Sequence, residues 1–296
     1  MELKTNMRLG TRLIVLLALM GAGLIAASVI VLLVANAGLL TMLTVQDVMA
    51  FILPAIVAMA LFYHRPLHAM CLDRAPSWRA IAVVVAFYIV SLPAMNWLVS
   101  MNESMTLPSW MSGLEQLMRN LEDSAADTTN TLLDIHTVWQ LIGTVFVVGL
   151  MAGLSEEMVF RGAIQRTMED SRLSRHATVW IAAILFSAMH LQFFGFVPRL
   201  VLGLWLGYLM LWTRSLWVPI IAHTLNNSTV VVMSYLANKE VIAQDCGDSL
   251  GLPAEGSFPW LALASFVVSI ALAVWAGNGR GGINFLKKEQ KNKELL

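Results

Sequence analysis

The feature that most constrains this chain is a series of eight apolar stretches, most of them long enough to cross a bilayer. A membrane-spanning helix needs about 20 mostly apolar residues. Hydrophobic residues make up 58% of the sequence and charged residues 13%, against roughly 45–50% and about 25% in soluble domains. We therefore predict an all-α, polytopic transmembrane helical bundle of about eight spans, at residues 13–35, 46–63, 79–99, 138–158, 177–194, 198–213, 216–236 and 259–276.

The distribution of basic residues predicts the orientation of the bundle. Lys and Arg concentrate in short cytoplasmic loops. The N-terminus, the loops 64–79 and 161–176 and the C-terminal tail are basic, whereas the alternate loops 36–45, 100–137 and 237–258 are acidic or nearly free of positive charge. We predict that both termini are cytoplasmic. The 19 basic and 19 acidic residues balance, so net charge does not indicate a nucleic-acid partner.

The first apolar stretch also has features of a secretory signal. Basic residues precede it, and residues 35–37 resemble a signal-peptidase site. Its apolar core is longer than the roughly 7–15 residues of a signal-peptide core. We therefore favour a membrane span.

The loop 100–137 contains an amphipathic pattern. Trp110, Leu114, Leu117, Met118 and Leu121 recur at helical spacing among polar residues. This pattern predicts an interfacial helix on the outer surface. A cap over the bundle is a simpler interpretation than a binding role.

Few polar side chains occur within the predicted spans. An ionisable residue at mid-membrane costs about 2.5–3.5 kcal/mol on insertion scales, so such residues normally face a bundle interior or a cavity. A candidate site is therefore sought among Asn96, Glu156, Glu157, His190, His223, Asn226 and Asn227.

Helix geometry separates the two adjacent glutamates. Glu157 and Arg161 are four residues apart, so they share a helix face in the favourable order for an ion pair. On its own, this spacing more often indicates a helix-end salt bridge than a catalytic device. Glu156 is turned about 100° away, so it needs another partner or a proton of its own.

Two histidines fall well inside predicted spans. His190 lies four residues after Phe186, so its ring could stack on its own helix and leave one nitrogen free. His223 and Asn227 share a helix face and could both donate toward one point. Each histidine could equally be a structural contact between helices.

Together, Glu156, the two histidines and Asn227 provide a general base and donors for a developing oxyanion. Other mechanisms lack their motifs: the sequence contains no His-Glu-x-x-His zinc helix, no Gly-x-Ser-x-Gly elbow and no Gly-rich phosphate loop. Water-mediated hydrolysis of an amide is the chemistry that this set favours.

Three motifs, in order, resemble those of a known family. Residues 156–161 (EEMVFR) match E-E-x-x-x-R, residues 186–190 (FSAMH) match F-x-x-x-H, and residues 223–227 (HTLNN) match H-x-x-x-N. The chain thereby resembles the CAAX-prenyl-protease and bacteriocin-processing (CPBP) membrane enzymes, also called the Abi or type II CAAX protease family. The resemblance covers residues 138–236, which we predict to be the catalytic core, flanked by spans 1–3 in 1–137 and by the last span and tail in 237–296.

The resemblance implies a role for each motif residue. Glu156 and His190 would activate water, while His223 and Asn227 would stabilise the oxyanion. Glu157 and Arg161, with Phe186, would support the site. We favour metal-free, glutamate-dependent hydrolysis. Zinc held by Glu156, His190 and His223 remains open, because two histidines and a carboxylate suit that metal.

The resemblance also implies the setting and the substrates. The chain would be an intramembrane endopeptidase in a bilayer, expected to be a prokaryotic plasma membrane, acting on membrane-embedded or lipidated peptides or protein C-terminal tails. The rival interpretation is a non-enzymatic scaffold or immunity protein that uses the same residues as a polar clamp. A transporter is disfavoured because no pair of broken half-helices is visible.

The predicted depths of the motif residues do not agree. Glu156 would lie within about 10 Å of the cytoplasmic surface and His190 roughly 20 Å deep, at 1.5 Å per residue. For these residues to converge, the fifth span must begin deeper or tilt, or the fourth helix must continue past Glu157.

Overall fold

The computed structural model describes residues 2–34, 37–254, 257–278 and Ile283. Apart from an isolated β-bridge between Leu3 and Tyr63, every regular element in this part of the chain is helical, which confirms the predicted all-α class. The main helices are α1 (Leu9–Leu33), α2 (Leu39–Phe62), α3 (Trp78–Glu103), α4 (Ser112–Leu133), α5 (Val138–Glu169), α6 (Arg175–Met189), α7 (Phe196–Thr213), α8 (Trp217–Asn238) and α9 (Trp260–Gly277).

The protein is an integral, multi-pass membrane protein. Six helical segments of the described chain are long and apolar enough to cross a membrane, namely α1, α2, α3, α5, α9 and the segment Phe193–Thr213 that contains α7. The shorter α6 and the more polar α8 occupy the other two predicted positions, so the helix count agrees roughly with eight. The orientation remains a prediction. The basic tail from Arg280 and residues 35–36 of the signal-peptidase pattern lie outside the described residues.

The predicted loop 161–176 is wrong at its start, because α5 continues to Glu169. Arg161 is fully buried and paired with Glu157. Arg166 pairs with Glu169 and also donates from Nε to the carbonyl oxygen of Ala69 at 2.8 Å. Because these charges are compensated inside the protein, they do not end the helix. The fourth predicted span, which is α5, thus continues past Glu157. This was one of the ways in which the predicted depths of Glu156 and His190 could be reconciled.

The predicted span 177–194 is wrong at its end, because α6 stops at Met189 and His190 lies in the turn that follows. Leu191 has a φ of 54°, which a continuing right-handed helix does not allow. His190 Nδ1 lies 2.9 Å from the carbonyl oxygen of Phe186, so the imidazole satisfies a carbonyl that the ending helix leaves unpaired. The histidine expected well inside a span therefore terminates a helix.

The chain divides into two compact units. The first draws on Met1–Pro76, Thr137–Ala182 and Leu206–Val232, and the second on Ser77–His136, Ala183–Trp205 and Met233–Leu296, in each case for the residues described. The predicted segments 1–137, 138–236 and 237–296 divide the chain differently and remain a prediction.

Each unit has its own buried contacts. In the first, Phe62, Met59 and Met70 are among the largest fully buried side chains. In the second, the Ser265 side chain of α9 bonds to the backbone of α3 beside Pro93. Its hydroxyl donates to Val90 O and accepts from Ala94 N. Side chains that insert in this way commonly accompany helix kinks.

Candidate active site

Two glycines bring α5 close to α8 within the first unit. Gly149 and Gly153 lie one turn apart on α5 and face Ser228 and Thr224 of α8. A Cβ atom at Gly153 would lie 2.9 Å from Thr224 Oγ1 and 3.1 Å from Thr224 N. Small residues four apart allow helix backbones to approach closely in membranes. This contact sets the helix that carries the two glutamates against the helix that carries His223.

The close approach predicts an asymmetric response to added methyl groups. Gly153→Ala is expected to destabilise the protein by about 1–3 kcal/mol, the usual range for overpacking a tight contact. The matched variant Gly143→Ala places its Cβ 3.5 Å from Leu40 Cδ1, an ordinary contact, and is expected to be neutral or stabilising. Unfolding of both variants in mixed detergent micelles measures the difference. Equal stabilities would contradict the close approach.

Glu157 is the anchor of a buried polar cluster. Its Oε1 accepts from Arg161 Nη1 at 2.6 Å, which confirms the predicted pair, and lies 2.9 Å from His223 Nδ1. The three side chains are almost fully buried. A carboxylate that already neutralises an arginine acts as an acceptor, so His223 Nδ1 carries the proton of this bond. The imidazole is therefore oriented, and its Nε2 is directed elsewhere.

Glu156 lies on the other side of the same imidazole. Its Oε2 is 3.8 Å from His223 Nε2, beyond hydrogen-bond distance. The side chain is 18% exposed, yet the Oε2 atom itself is buried and has no hydrogen-bond partner among the described residues. A buried carboxylate oxygen without a donor requires an explanation. This oxygen is therefore available to accept a hydrogen bond from a molecule that enters the site.

Asn227 contacts the backbone of α5. Its Nδ2 donates to Val148 O at 3.1 Å, and its Oδ1 accepts from Asn226 Nδ2 at 3.2 Å. Val148 lies in the π-helical stretch Val145–Met151, and π-helical turns are frequent at functional sites. His223 and Asn227 thus each have a bond of their own, and their joint donation toward one point remains a prediction.

Phe186 and His190 belong to the second unit. Their rings meet edge to face with centroids 5.1 Å apart, which confirms the predicted stacking. Because Nδ1 faces the carbonyl oxygen of Phe186, which can only accept, Nδ1 is the donor of this bond. Of the predicted site residues, the structure gathers Glu156, Glu157, Arg161, His223 and Asn227 in the first unit.

Asp47 is a polar residue that the sequence reasoning missed. It begins the π-helical stretch Asp47–Ile52 of α2, and its Oδ1 accepts from Ser155 Oγ at 2.9 Å. Ser155 is fully buried and immediately precedes Glu156. Asp47 is the one acidic residue of the predicted span 46–63. A search of every span for acidic residues, ends included, would have found it.

Metal binding and a cysteine nucleophile are two other chemistries that the residues present could in principle support. Within residues 2–34, 37–254 and 257–278, no three side chains of His, Cys, Asp or Glu are grouped so that they could hold a metal. In the first unit, Glu156 and His223 could supply two ligands. Cys71 is buried, and desolvation raises the pKa of its thiol despite nearby arginines. A raised pKa disfavours the thiolate that nucleophilic catalysis needs.

Comparison with known proteins finds a similar family for the part of the chain that contains the three motifs. Residues 138–229 match the family model of the type II CAAX prenyl endopeptidases, Rce1-like. The chain carries an Rce1-like domain. This domain begins with α5 and ends within α8, so it includes all three motifs and leaves Asp47 outside.

A curated bacterial protein is similar to part of the chain. The uncharacterized protein YpbD of Bacillus subtilis (strain 168) is 31% identical over 78 residues, which cover 25% of this chain and 36% of that protein. The match therefore spans about a third of the relative. No solved structure was found to match the chain.

Proposed function

We propose that the protein is a CAAX-type intramembrane endopeptidase that cleaves membrane-associated peptides or protein C-terminal tails with water activated by Glu156. The observation that carries the proposal is the Oε2 atom of Glu156, buried, without a hydrogen-bond donor and 3.8 Å from His223 Nε2. The Rce1-like domain supports the reaction class. An attacking water would supply the missing donor to this oxygen.

In the proposed reaction, Glu156 removes a proton from water as the water oxygen bonds to the scissile carbonyl carbon. The carbonyl π electrons move to oxygen. The oxyanion accepts from the second Nδ2–H of Asn227 and from Nε2–H of a His223 that is protonated on both ring nitrogens, with its Nδ1–H held by Glu157. Glu156 then returns the proton to the leaving nitrogen as the C–N bond breaks. The role that the family resemblance implies for His190, helping to activate the water, stays a prediction.

Glu157 and Arg161 act through His223 in this proposal. The ion pair holds Glu157 Oε1 against His223 Nδ1 at 2.9 Å, which fixes the ring orientation. Carboxylates that orient histidines in this manner are common in hydrolytic sites. Asp47, through Ser155, holds the backbone beside Glu156. In the zinc alternative, a bound metal would instead lower the pKa of the attacking water, and the test below separates the two cases.

The test uses purified full-length protein in lipid nanodiscs and a membrane-tethered reporter peptide, with prenylated and unprenylated forms compared. We expect cleavage that survives metal chelation, with one ¹⁸O from labelled water in the new carboxyl group. Absence of cleavage of both forms would contradict endopeptidase activity. Loss of activity with chelator and recovery with zinc would replace the metal-free mechanism by a zinc-dependent one.

One observation favours a second candidate function, a non-enzymatic scaffold or immunity protein. The Glu157–Arg161–His223 cluster is almost fully buried and mutually bonded, as a structural clamp would be. This function predicts that Glu156→Gln leaves the protein's biological effect intact, while His223→Ala mainly lowers stability. Comparing melting temperature with cleavage rate for both variants separates the two functions.

A further inference from the structure

The surface helix α4 exposes its apolar side chains and turns charged ones toward the protein. Trp110, just before the helix, is 81% exposed, and Leu114, Leu117 and Leu121 are 40%, 56% and 42% exposed. These residues follow one another at spacings of three or four, so they form one stripe. We call it the apolar stripe. Such a stripe normally packs against a protein core or a membrane.

The neighbouring face of α4 contacts other parts of its own unit, the second, through polar groups. Glu115 accepts from Leu107 N and pairs with Arg119. The pKa of Glu115 is lowered, mainly because its carboxylate accepts a hydrogen bond from Arg119. The remaining face carries Gln116, Asn120, Asp123 and Asp127. At 100° per residue, the face with Glu115 and Arg119 lies between the apolar stripe and this polar face. This order is expected for a helix that lies parallel to a membrane surface and contacts the protein along one side.

The position of α4 in the chain identifies lipid as the occupant of the stripe. Eight residues separate its start from the end of α3, and four separate its end from α5. Both of these flanking helices are long and apolar enough to span the membrane, so α4 is tethered at both ends close to the bilayer surface. Arg119 is its one basic residue. Burial of apolar side chains, rather than attraction to anionic headgroups, is therefore the source of binding.

One side chain connects α4 to the turn that follows α6. Glu122 Oε1 accepts from Gln192 Nε2 at 3.1 Å, and Glu122 Oε2 accepts from Phe194 N at 3.2 Å. The guanidinium of Arg119 lies 4.2 Å from the centroid of the Phe194 ring. Gln192 is two residues after His190. The conformation of the His190 turn is thus tied to the position of α4.

We propose that the apolar stripe of α4 binds the interfacial layer of the bilayer, and that this contact, through Glu122, holds the turn that carries His190. Glu122 is a positioning residue in this arrangement. Only the consequence for cleavage rests on the proposed function, because it requires His190 to act on water. The membrane contact and its effect on the turn can be measured without activity.

The first test places spin labels on opposite faces of α4 in full-length protein reconstituted in phosphatidylcholine vesicles. Leu117→Cys reports the apolar stripe and Asp123→Cys reports the polar face, both in a Cys246→Ser background whose remaining thiol, Cys71, is buried. We expect the Leu117 label to be accessible to oxygen and shielded from a water-soluble nickel chelate, with the reverse at Asp123. Adding anionic lipid should leave this order unchanged. Equal nickel accessibility at the two sites would overturn the membrane contact.

The second test reads the turn. A label at Phe193→Cys is expected to become more mobile when Leu117→Lys and Leu121→Lys are added. These lysines weaken the lipid contact of α4, so the helix shifts and the bonds of Glu122 to the turn loosen. The control Gln116→Lys with Asn120→Lys should not change its spectrum. All four helix positions are exposed, so the fold loses no buried contact. An unchanged spectrum in the stripe variant would overturn the coupling.

Cleavage measurements then distinguish failure of the α4 proposal from failure of the proposed endopeptidase function. Glu122→Gln is expected to lower kcat several-fold with KM unchanged, because it loosens the His190 turn rather than the substrate contact. A wild-type protein that gives the expected label results but cleaves no peptide would refute the proposed function alone. An unchanged kcat in Glu122→Gln would overturn the positioning role of Glu122.

Discussion

Replacing Glu156 by glutamine is expected to abolish measurable peptide cleavage while the protein remains folded. Glutamine has nearly the same shape but cannot accept the proton of water, and a general base contributes about 10²–10⁴-fold to rate. Glu156 Oε2 has no hydrogen bond to lose among the described residues. The measurement is kcat on the membrane-tethered peptide, beside the thermal unfolding curve of the same preparation.

A matched substitution distinguishes this role from a general loss of negative charge. Glu240→Gln removes the same charge from an exposed turn after α8 and is expected to retain wild-type kcat. Asp47→Asn keeps an acceptor for Ser155 Oγ but removes a charge near Glu156, so a smaller loss is expected. Undiminished turnover in Glu156→Gln would exclude Glu156 as the base.

The largest effect on stability is expected from Arg161→Met. The guanidinium is fully buried and bonded to Glu157 Oε1 at 2.6 Å, so its removal takes the arginine charge away from a buried carboxylate that keeps its contact with His223 Nδ1. Breaking one partner of a buried pair costs about 3–5 kcal/mol. Unfolding in mixed micelles should show this loss as a large shift of the midpoint.

Removing both charges together provides the control. In Arg161→Met with Glu157→Gln, no charge is left unpaired, and the glutamine oxygen can still accept from His223 Nδ1. We expect the double variant to recover much of the stability lost in the single one. If both variants were equally destabilised, packing of the arginine side chain rather than charge pairing would be responsible.

Helix positions and the Glu157–Arg161 pair could be predicted from the sequence because both depend on local spacing. Apolar length predicted eight helices, and a separation of four residues predicted the ion pair. Each is a property of one segment considered by itself. The motif order, in the same way, placed the candidate residues on α5, around the end of α6 and on α8.

The errors have a common physical origin in pairings that apolar length does not register. Arg161 and Arg166 were assigned to a loop because the apolar stretch ends near residue 158, whereas both arginines are paired within α5, which continues to Glu169. His190 was assigned to a span because the apolar pattern continues past it, and that pattern does not show that its ring bonds the carbonyl oxygen of Phe186 where α6 ends. Asp47 was overlooked because it stands beside the predicted end of an apolar stretch.

The close contact of Gly149 and Gly153 with α8 has a consequence for substrate access. The backbone of α5 at these glycines lies so close to Thr224 and Ser228 that an added Cβ would crowd them, so the two helices leave no gap there wide enough for a polypeptide. Under the proposed function, a substrate would therefore reach Glu156 from another side, because spreading these two helices would also separate Glu157 from His223. The glycine contact thus closes one route of entry.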